Sequence, residues 1–214
     1  MNEFSRSISQ LKAAFNRDLP GVEQHLKMAP YNKTSREIAR KVNPNPRESA
    51  VLILVYPDNN IAHTALMLRN DYKGTHGGQV SFPGGKREVI DTSLEETALR
   101  ETYEEFGIDP TSVDLIGQLT EIYIPPSGFL VFPFIGLLDS KPEFIPDPRE
   151  VKELIETPLD IITQPNTIKI KKIPVGLSGI KVEAPYFDIQ NHVVWGATAM
   201  ILSELKAILL HETI

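Results

Sequence analysis

Phe82-Pro-Gly-Gly-Lys-Arg-Glu-Val-Ile-Asp-Thr-Ser-Leu-Glu-Glu-Thr-Ala-Leu-Arg-Glu-Thr-Tyr-Glu-Glu-Phe-Gly-Ile108 reads as a glycine-rich loop running into a single helix. Ser93 and Glu96 form an S-x-x-E capping box, and Thr92 with Glu95 offers the same pattern one residue earlier. Gly107 is a natural stop, because helices commonly close on a residue in the left-handed conformation. Between these signals Leu99, Tyr103 and Phe106 recur at i, i+4 and i+7 and predict a buried face. Glu101, Glu104 and Glu105 then cluster on the opposite side.

That acidic cluster is the anomaly. Glu101 has like charges three and four residues on, and each such pair costs a helix roughly 0.2–0.5 kcal/mol. Arg100, four residues after Glu96 and four before Glu104, compensates only part of it. A hard divalent cation would compensate the rest: Mg²⁺ prefers oxygen ligands, often takes only one or two carboxylates, and fills its shell with water and substrate phosphate. A solvated acidic face gives the same helix pattern, so the upstream loop bears on the choice. Gly77, Gly78, Gly84 and Gly85 permit positive φ and close approach of the backbone to a ligand. Lys86 and Arg87 add local positive charge. A diphosphate with its metal suits such a loop.

These residues resemble the Nudix hydrolases, whose box is G-x5-E-x7-R-E-U-x-E-E-x-G-U with U aliphatic. Arg100-Glu101-Thr102-Tyr103-Glu104-Glu105-Phe106-Gly107-Ile108 matches its second half, with Thr102 in an aliphatic slot. In the first half, six residues on from Gly85 stands Asp91 rather than Glu, and the spacer to Arg100 is one residue too long. That departure is similar to the coenzyme A pyrophosphatase branch, roughly FPGG-x-x-D-x-x-D…TALRE-x-x-EE-x-G. Phe82–Gly85, Asp91, Thr97–Glu101, Glu104 and Glu105 match, with Glu88 replacing the first Asp.

With 214 residues, one domain with a self-sufficient core is expected. Hydrophobic content of 41% and charged content of 23% are ordinary for a soluble globular protein. The absence of cysteine excludes disulfides, thiol catalysis and Cys-ligated zinc, and fits a reducing, cytoplasmic compartment. A net charge of −6 argues against a nucleic-acid or anionic-membrane partner, though not against a small anion held locally by cations and a metal. No signal peptide or transmembrane run is read.

Along the chain, Phe4, Ile8, Leu11 and Phe15 predict an amphipathic helix over residues 3–16, broken at Leu19-Pro-Gly21. Residues 25–30 read as loop, and Asn43–Arg47 as a proline-rich hinge. Val51–Tyr56 is a continuous apolar run, hence a buried strand, with Ala65–Arg69 as its partner. Arg69 is either a phosphate clamp or a capped surface arginine. The family's preceding segment is similar at Arg69, His76, Gly78 and Val80, whereas Asn70 replaces Ser and Lys73-Gly74 replaces Leu-Arg; Lys73 can supply the missing charge. His76 either binds phosphate or hydrogen-bonds its own loop. Residues 112–121 and 129–138 read as strands flanking Ile124–Phe129, which is either a substrate wall or a rigid connection. Glu150 is either a further carboxylate for the site, a general base included, or a surface acid. Ile168–Ile173 alternates like a half-exposed strand with its lysines wet. Trp195 is expected in the core, ahead of a last helix reaching about Leu210.

The resemblance implies a Nudix α/β/α sandwich with a mixed sheet, divided as an N-terminal helical extension (1–47) and a Nudix domain (48–214). It implies a diphosphatase that uses Mg²⁺ or Mn²⁺ and cleaves coenzyme A or acyl-coenzyme A to 3′,5′-ADP and (acyl-)4′-phosphopantetheine. Glu101, Glu104 and Glu105 are the expected metal ligands. Glu101, Glu104 and Arg100 are the expected catalytic group, with Arg100 orienting the carboxylates and Glu101 a candidate proton acceptor. Arg69, Lys73, His76, Gly84, Gly85 and Lys86 are the expected substrate contacts. A dinucleotide or nucleotide-sugar substrate, or a non-catalytic ligand sensor, are the competing readings. A homodimer is left open.

Overall fold

The computed structural model describes residues 2–30, 41–71, 77–125, 127–175 and 180–211. Among the described residues the α-helices are α1 (Glu3–Ala14), α2 (Gly21–Met28), α3 (Leu94–Phe106), α4 (Leu159–Thr163) and α5 (Gly196–Leu209). The strands are β1 (Arg47–Asp58), β2 (Ile61–Arg69), β3 (Val80–Ser81), β4 (Gly84–Lys86), β5 (Asp114–Gln118), β6 (Ile122–Ile124), β7 (Phe129–Leu137), β8 (Val151–Pro158), β9 (Ile168–Val175), β10 (Ile180–Ile189) and β11 (His192–Val194).

Strand β1 is apolar on both faces because both faces are covered. Side chains alternate along a strand, so Leu52, Leu54 and Tyr56 enter one core cluster with Ala98 and Phe106 of α3. Ile53 and Val55 enter the other with Leu202, Leu205 and Ile208 of α5. The run Val51–Tyr56 is therefore the middle layer of an α/β/α sandwich, as expected. β1 pairs antiparallel with β2 and parallel with β7, and the sheet is accordingly mixed. Its order is β3-β2-β1-β7-β5, with β4 on β1, β6 on β7 and β8 on β2. β9, β10 and β11 form a separate antiparallel sheet.

Residues 25–28, expected as loop, continue the helix α2 instead. Eight residues are too few for a stable isolated helix, so tertiary contacts hold it. The Glu204 carboxylate of α5 accepts from the Gly21 amide at 3.2 Å, at the first turn of α2, and from His25 Nε2 at 2.8 Å. It also accepts from Thr120 Oγ1 at 2.8 Å. An acid at a helix start completes free amides and meets the positive end of the helix dipole. Its partner lies at the far end of the chain, beyond the reach of local periodicity. α1 is the amphipathic helix expected, with Leu11 and Ala14 buried against the α5 side of the core.

Two further expectations change. On β9 the lysines are exposed, but Ile168 and Ile170 are exposed too, at 38% and 68%. β9 is the edge strand of its three-stranded sheet, and Ile173 alone of the three isoleucines is buried. Trp195 is half-buried rather than core, and serves as the N-cap residue of α5.

Glu204 and His25 are both fully buried. Removing one partner of such a pair strands the others without compensation, at a cost of about 3–5 kcal/mol. Glu204→Ala should lower the urea midpoint by the equivalent of that amount; a loss below about 1 kcal/mol would mean the carboxylate contributes little to holding α2 on α5.

Candidate active site

Helix α3 is set at both ends by short contacts. Ser93 is the N-cap and accepts from the Glu96 amide, while Glu96 reaches back to the Thr92 amide at 2.7 Å. Gly107 closes the helix at φ +72° and donates to the Tyr103 carbonyl. The inner stripe is Ala98, Thr102, Glu105 and Phe106. This corrects the expected Leu99–Tyr103–Phe106 face: Leu99 is half-buried and Tyr103 is 56% exposed. Thr102 fits the aliphatic slot because its hydroxyl donates to the Ala98 carbonyl at 2.7 Å, leaving its methyl to pack. Glu105 faces inward, not outward.

Glu105 is the least exposed carboxylate of the box, at 1%. Its Oε2 accepts from the Gly84 amide at 2.7 Å and its Oε1 meets Arg69 Nη1 at 3.2 Å. Burial pushes its pKa up to about 8, outweighing the Arg69 guanidinium and the Gly84 amide, which favour the anion. Glu101 is also raised by burial, against the lowering effect of Arg100. Arg69 Nη2 reaches Glu150 at 3.5 Å, so Glu150 joins the rim of the acidic group, and its charge acts on both Glu101 and Glu105.

Arg100 is the hub of the outer half. Its Nε and Nη2 grip the two oxygens of Asp91 at 2.9 and 3.0 Å, a bidentate pair. Its Nη1 donates to Glu101 and to Glu104, each at 3.0 Å, and its Nη2 to the Lys86 carbonyl at 3.2 Å. Arg100, expected to orient the carboxylates, contacts Glu101 and Glu104, and Asp91 fixes its guanidinium. Asp91 also accepts from Thr97 Oγ1 and the Glu88 amide. Arg100 beside it holds its carboxyl well below the usual range.

Gly84 and Gly85 belong to β4, which lies against α3. At Gly85 a methyl group would overlap the Glu101 carboxylate, and at Gly84, where φ is +150°, it would run into the Ala50 carbonyl. Gly84 is required by backbone on both counts, whereas a side chain at Gly85 would displace the Glu101 carboxylate. Glu101 and Glu105 thus meet β4, while Glu104, 54% exposed, points to Arg100 and water. Among the described residues no three acids converge into a ready cage. A donor set of one or two hard carboxylates beside an open, glycine-lined cradle nevertheless fits Mg²⁺ or Mn²⁺, which keep water and phosphate in their shells. Lys86 is exposed beyond this cradle. Lys73 and His76 lie outside the described residues. The sequence gives no role to Arg47 and Glu48, which approach the same loop; Arg87 pairs with the Glu48 carboxylate at 3.0 Å and its amide donates to the Glu48 carbonyl at 3.1 Å, contacts nothing local announces.

The NUDIX domain family matches residues 46–174 of this chain. Nudix hydrolase 15, mitochondrial, of Arabidopsis thaliana is 35% identical over 164 residues, covering 73% of this chain and 56% of the relative. The uncharacterized Nudix hydrolase NudL of Pectobacterium atrosepticum is 36% identical over 168 residues, covering 74% of this chain and 81% of the relative. The chain spans little more than half the length of the plant relatives, 56% and 57%. Among solved structures, the Nudix hydrolase RenU of M. smegmatis superposes with a TM-score of 0.55 at 16% identity, over 79% of this chain and 89% of that one. A MutT/nudix family protein from Enterococcus faecalis gives 0.52 at 14% identity, over 92% and 67%. Both show the shared fold.

The raised Glu105 pKa has a sign that can be measured. Its unfolded value is near 4.5 and its folded value about 8, so the contribution it makes to stability is full below about pH 4.5 and is lost as pH rises through 8. In chelator, Glu105→Gln should therefore melt above the parent at pH 8.5, by roughly 2–4 °C per kcal/mol recovered. The difference should shrink toward pH 5. A pH-independent difference would show that Glu105 is not the titrating group.

Proposed function

This chain belongs to the Nudix family, and on that premise we propose that it hydrolyses the diphosphate bond of coenzyme A or an acyl-coenzyme A, releasing 3′,5′-ADP and 4′-phosphopantetheine or its acyl form. The observation that carries the reading is the pair Glu101 and Glu105, one helical turn apart, pressed against the Gly84-Gly85 backbone, with Arg100 and Asp91 bracing Glu101 and Arg69 meeting Glu105. Support for coenzyme A comes from the resemblance at Phe82–Gly85, Asp91 and Thr97–Glu101.

A divalent cation, when bound by Glu101 and Glu105 with Glu104 alongside, would supply charge neutralisation on the diphosphate and a more acidic water. The chain's residues do the rest. Glu101 is assigned to take the proton as a water oxygen bonds to phosphorus and the bridging P–O bond breaks, the leaving phosphate departing as its anion. Arg100 keeps the Glu101 carboxylate aimed, through its grip on Asp91. Arg69 is near enough to Glu105 and Glu150 to exchange one of them for a phosphate oxygen. Lys73, His76 and Lys86 are assigned to the remaining phosphate oxygens. Residues 48–214 are assigned to the catalytic domain and 1–47 to an extension of it. No described helix is long and apolar enough to cross a membrane; a cytoplasmic location is the assignment.

Purified protein incubated with coenzyme A and Mg²⁺ should yield 3′,5′-ADP and 4′-phosphopantetheine, resolved by chromatography and ³¹P NMR. Chelator should abolish the reaction, and Glu105→Gln should lower kcat by at least about 100-fold, the scale of losing a group that acts in the transition state. Preferred turnover of ADP-ribose, NADH or another nucleotide derivative would replace the coenzyme A assignment. Unchanged turnover in Glu105→Gln would remove the mechanism.

A further inference from the structure

The two arginines of the site are held in opposite ways. Arg100 has every nitrogen engaged, on acceptors 2.9 to 3.2 Å away. Arg69 is held loosely. Its Nη1 meets Glu105 Oε1 at 3.2 Å, and its Nη2 reaches the exposed Glu150 only at 3.5 Å. Its Nε is buried with no hydrogen-bond partner among the described residues. Buried polar groups are nearly always paired, so an orphan calls for an explanation.

A second orphan stands on the same face of the sheet. Ser81 Oγ is also buried and unpartnered among the described residues. In the β2–β3 pair Ser81 lies opposite Met67, which packs on the α3 side, whereas Val80 packs on the α5 side. Side chains alternate along a strand, so Ser81 shares the α3 side with Met67 and, two residues on, with Arg69. Glu150 is fixed close by through its backbone. Its carbonyl accepts from the Asn70 amide at 3.0 Å, and the Asn70 side chain donates to the Pro148 carbonyl at 2.9 Å. Arg69 thus lies between a buried carboxylate that it neutralises and two further acceptors that it scarcely uses.

Glu105 has little left to offer a second cation. Its Oε2 is committed to the Gly84 amide at 2.7 Å, and its Oε1 is the oxygen Arg69 meets. A guanidinium and a divalent cation on one buried carboxylate repel each other, and a seam closed to water screens that repulsion little. We propose that Arg69 is the resident counter-ion of Glu105, a built-in competitor that must leave before a divalent cation is held there, and that the Ser81 hydroxyl, with Glu150, receives the displaced guanidinium. Ser81 is then a positioning residue that acts through Arg69. The proposal rests on the metal-dependent diphosphatase reading and deepens it: the affinity of the site for its metal is set by an arginine as well as by the carboxylates.

The test is Mg²⁺ binding without substrate, measured by calorimetry at low fixed salt and about pH 9, above the Glu105 titration at about 8. Arg69→Gln should bind Mg²⁺ about tenfold more tightly than the parent, within the usual range of coupling between two sites. If Arg69 merely braced Glu105, the same variant would bind more weakly. Ser81→Ala should weaken Mg²⁺ binding about threefold in the parent, the scale of one hydrogen bond, and leave it nearly unchanged in Arg69→Gln. Ser81→Thr, which keeps the hydroxyl, should restore the parent affinity. Equal or weaker binding in Arg69→Gln, or the same Ser81→Ala effect in both backgrounds, would overturn the proposal. Should Arg69→Gln not fold, parent crystals soaked in Mn²⁺ decide. Arg69 should stand off Glu105, within hydrogen-bond distance of Ser81 or Glu150; an arginine still on Glu105 Oε1 beside a bound ion refutes the displacement. A parent that binds neither ion refutes the metal-dependent reading and the proposal with it, whereas binding indifferent to Arg69 refutes the displacement alone.

Discussion

Everything at the site depends on a carboxylate taken out of water at a seam between two elements. Glu105 sits where α3 meets β4, and among the described residues the Gly84 amide and Arg69 compensate it. Burying an acid is costly unless its hydrogen bonds and counter-charge are supplied. Here the supply is partial, which is why the proton is held so firmly. A metal and an anionic substrate would complete what the polypeptide leaves short. The glycines are part of the same constraint, since any side chain at Gly85 would occupy the place of the Glu101 carboxylate.

The outer half solves the opposite problem. Arg100 could satisfy any of several acids, and the fold decides among them by placing Asp91 on a turn where the Glu88 amide and the Thr97 hydroxyl already define its orientation. With two bonds spent on Asp91, the guanidinium has one nitrogen left to share between Glu101 and Glu104. Repulsion along the helix is thereby relieved at its exposed end and concentrated at its buried end. That gradient, from wet Glu104 to dry Glu105, is what distinguishes three residues that look alike in the sequence.

Local patterns were readable where local forces act. The capping box, the Gly107 stop, the doubly apolar β1 and the amphipathic α1 all follow from spacing, and the residues of the acidic cluster were identifiable because like charges at one helical turn demand a reason. The failures have a common origin in contacts distant along the chain. α2 owes its existence to Glu204, some 180 residues away. Glu105 turns inward because a strand amide and Arg69 wait for it, whereas periodicity assigned the inner place to Tyr103. Arg47 reads as the end of a hinge and Glu48 draws no reading, because their relation to Arg87 and Phe129 appears only once β1, β4 and β7 are paired.

The parallel pairing of β1 with β7 also bears on how the chain is made. Ala50 faces Phe132 in that register, so the middle strand cannot find its neighbour until the segment between them has been made. Synthesis runs at about 5–20 residues per second, and during that interval a strand apolar on both faces waits with one edge unpaired. Such topologies are intrinsically slow to form and exposed to self-association while nascent. The antiparallel hairpin with β2, which emerges immediately after β1, shields one edge of the strand early and leaves the other open until β7 follows.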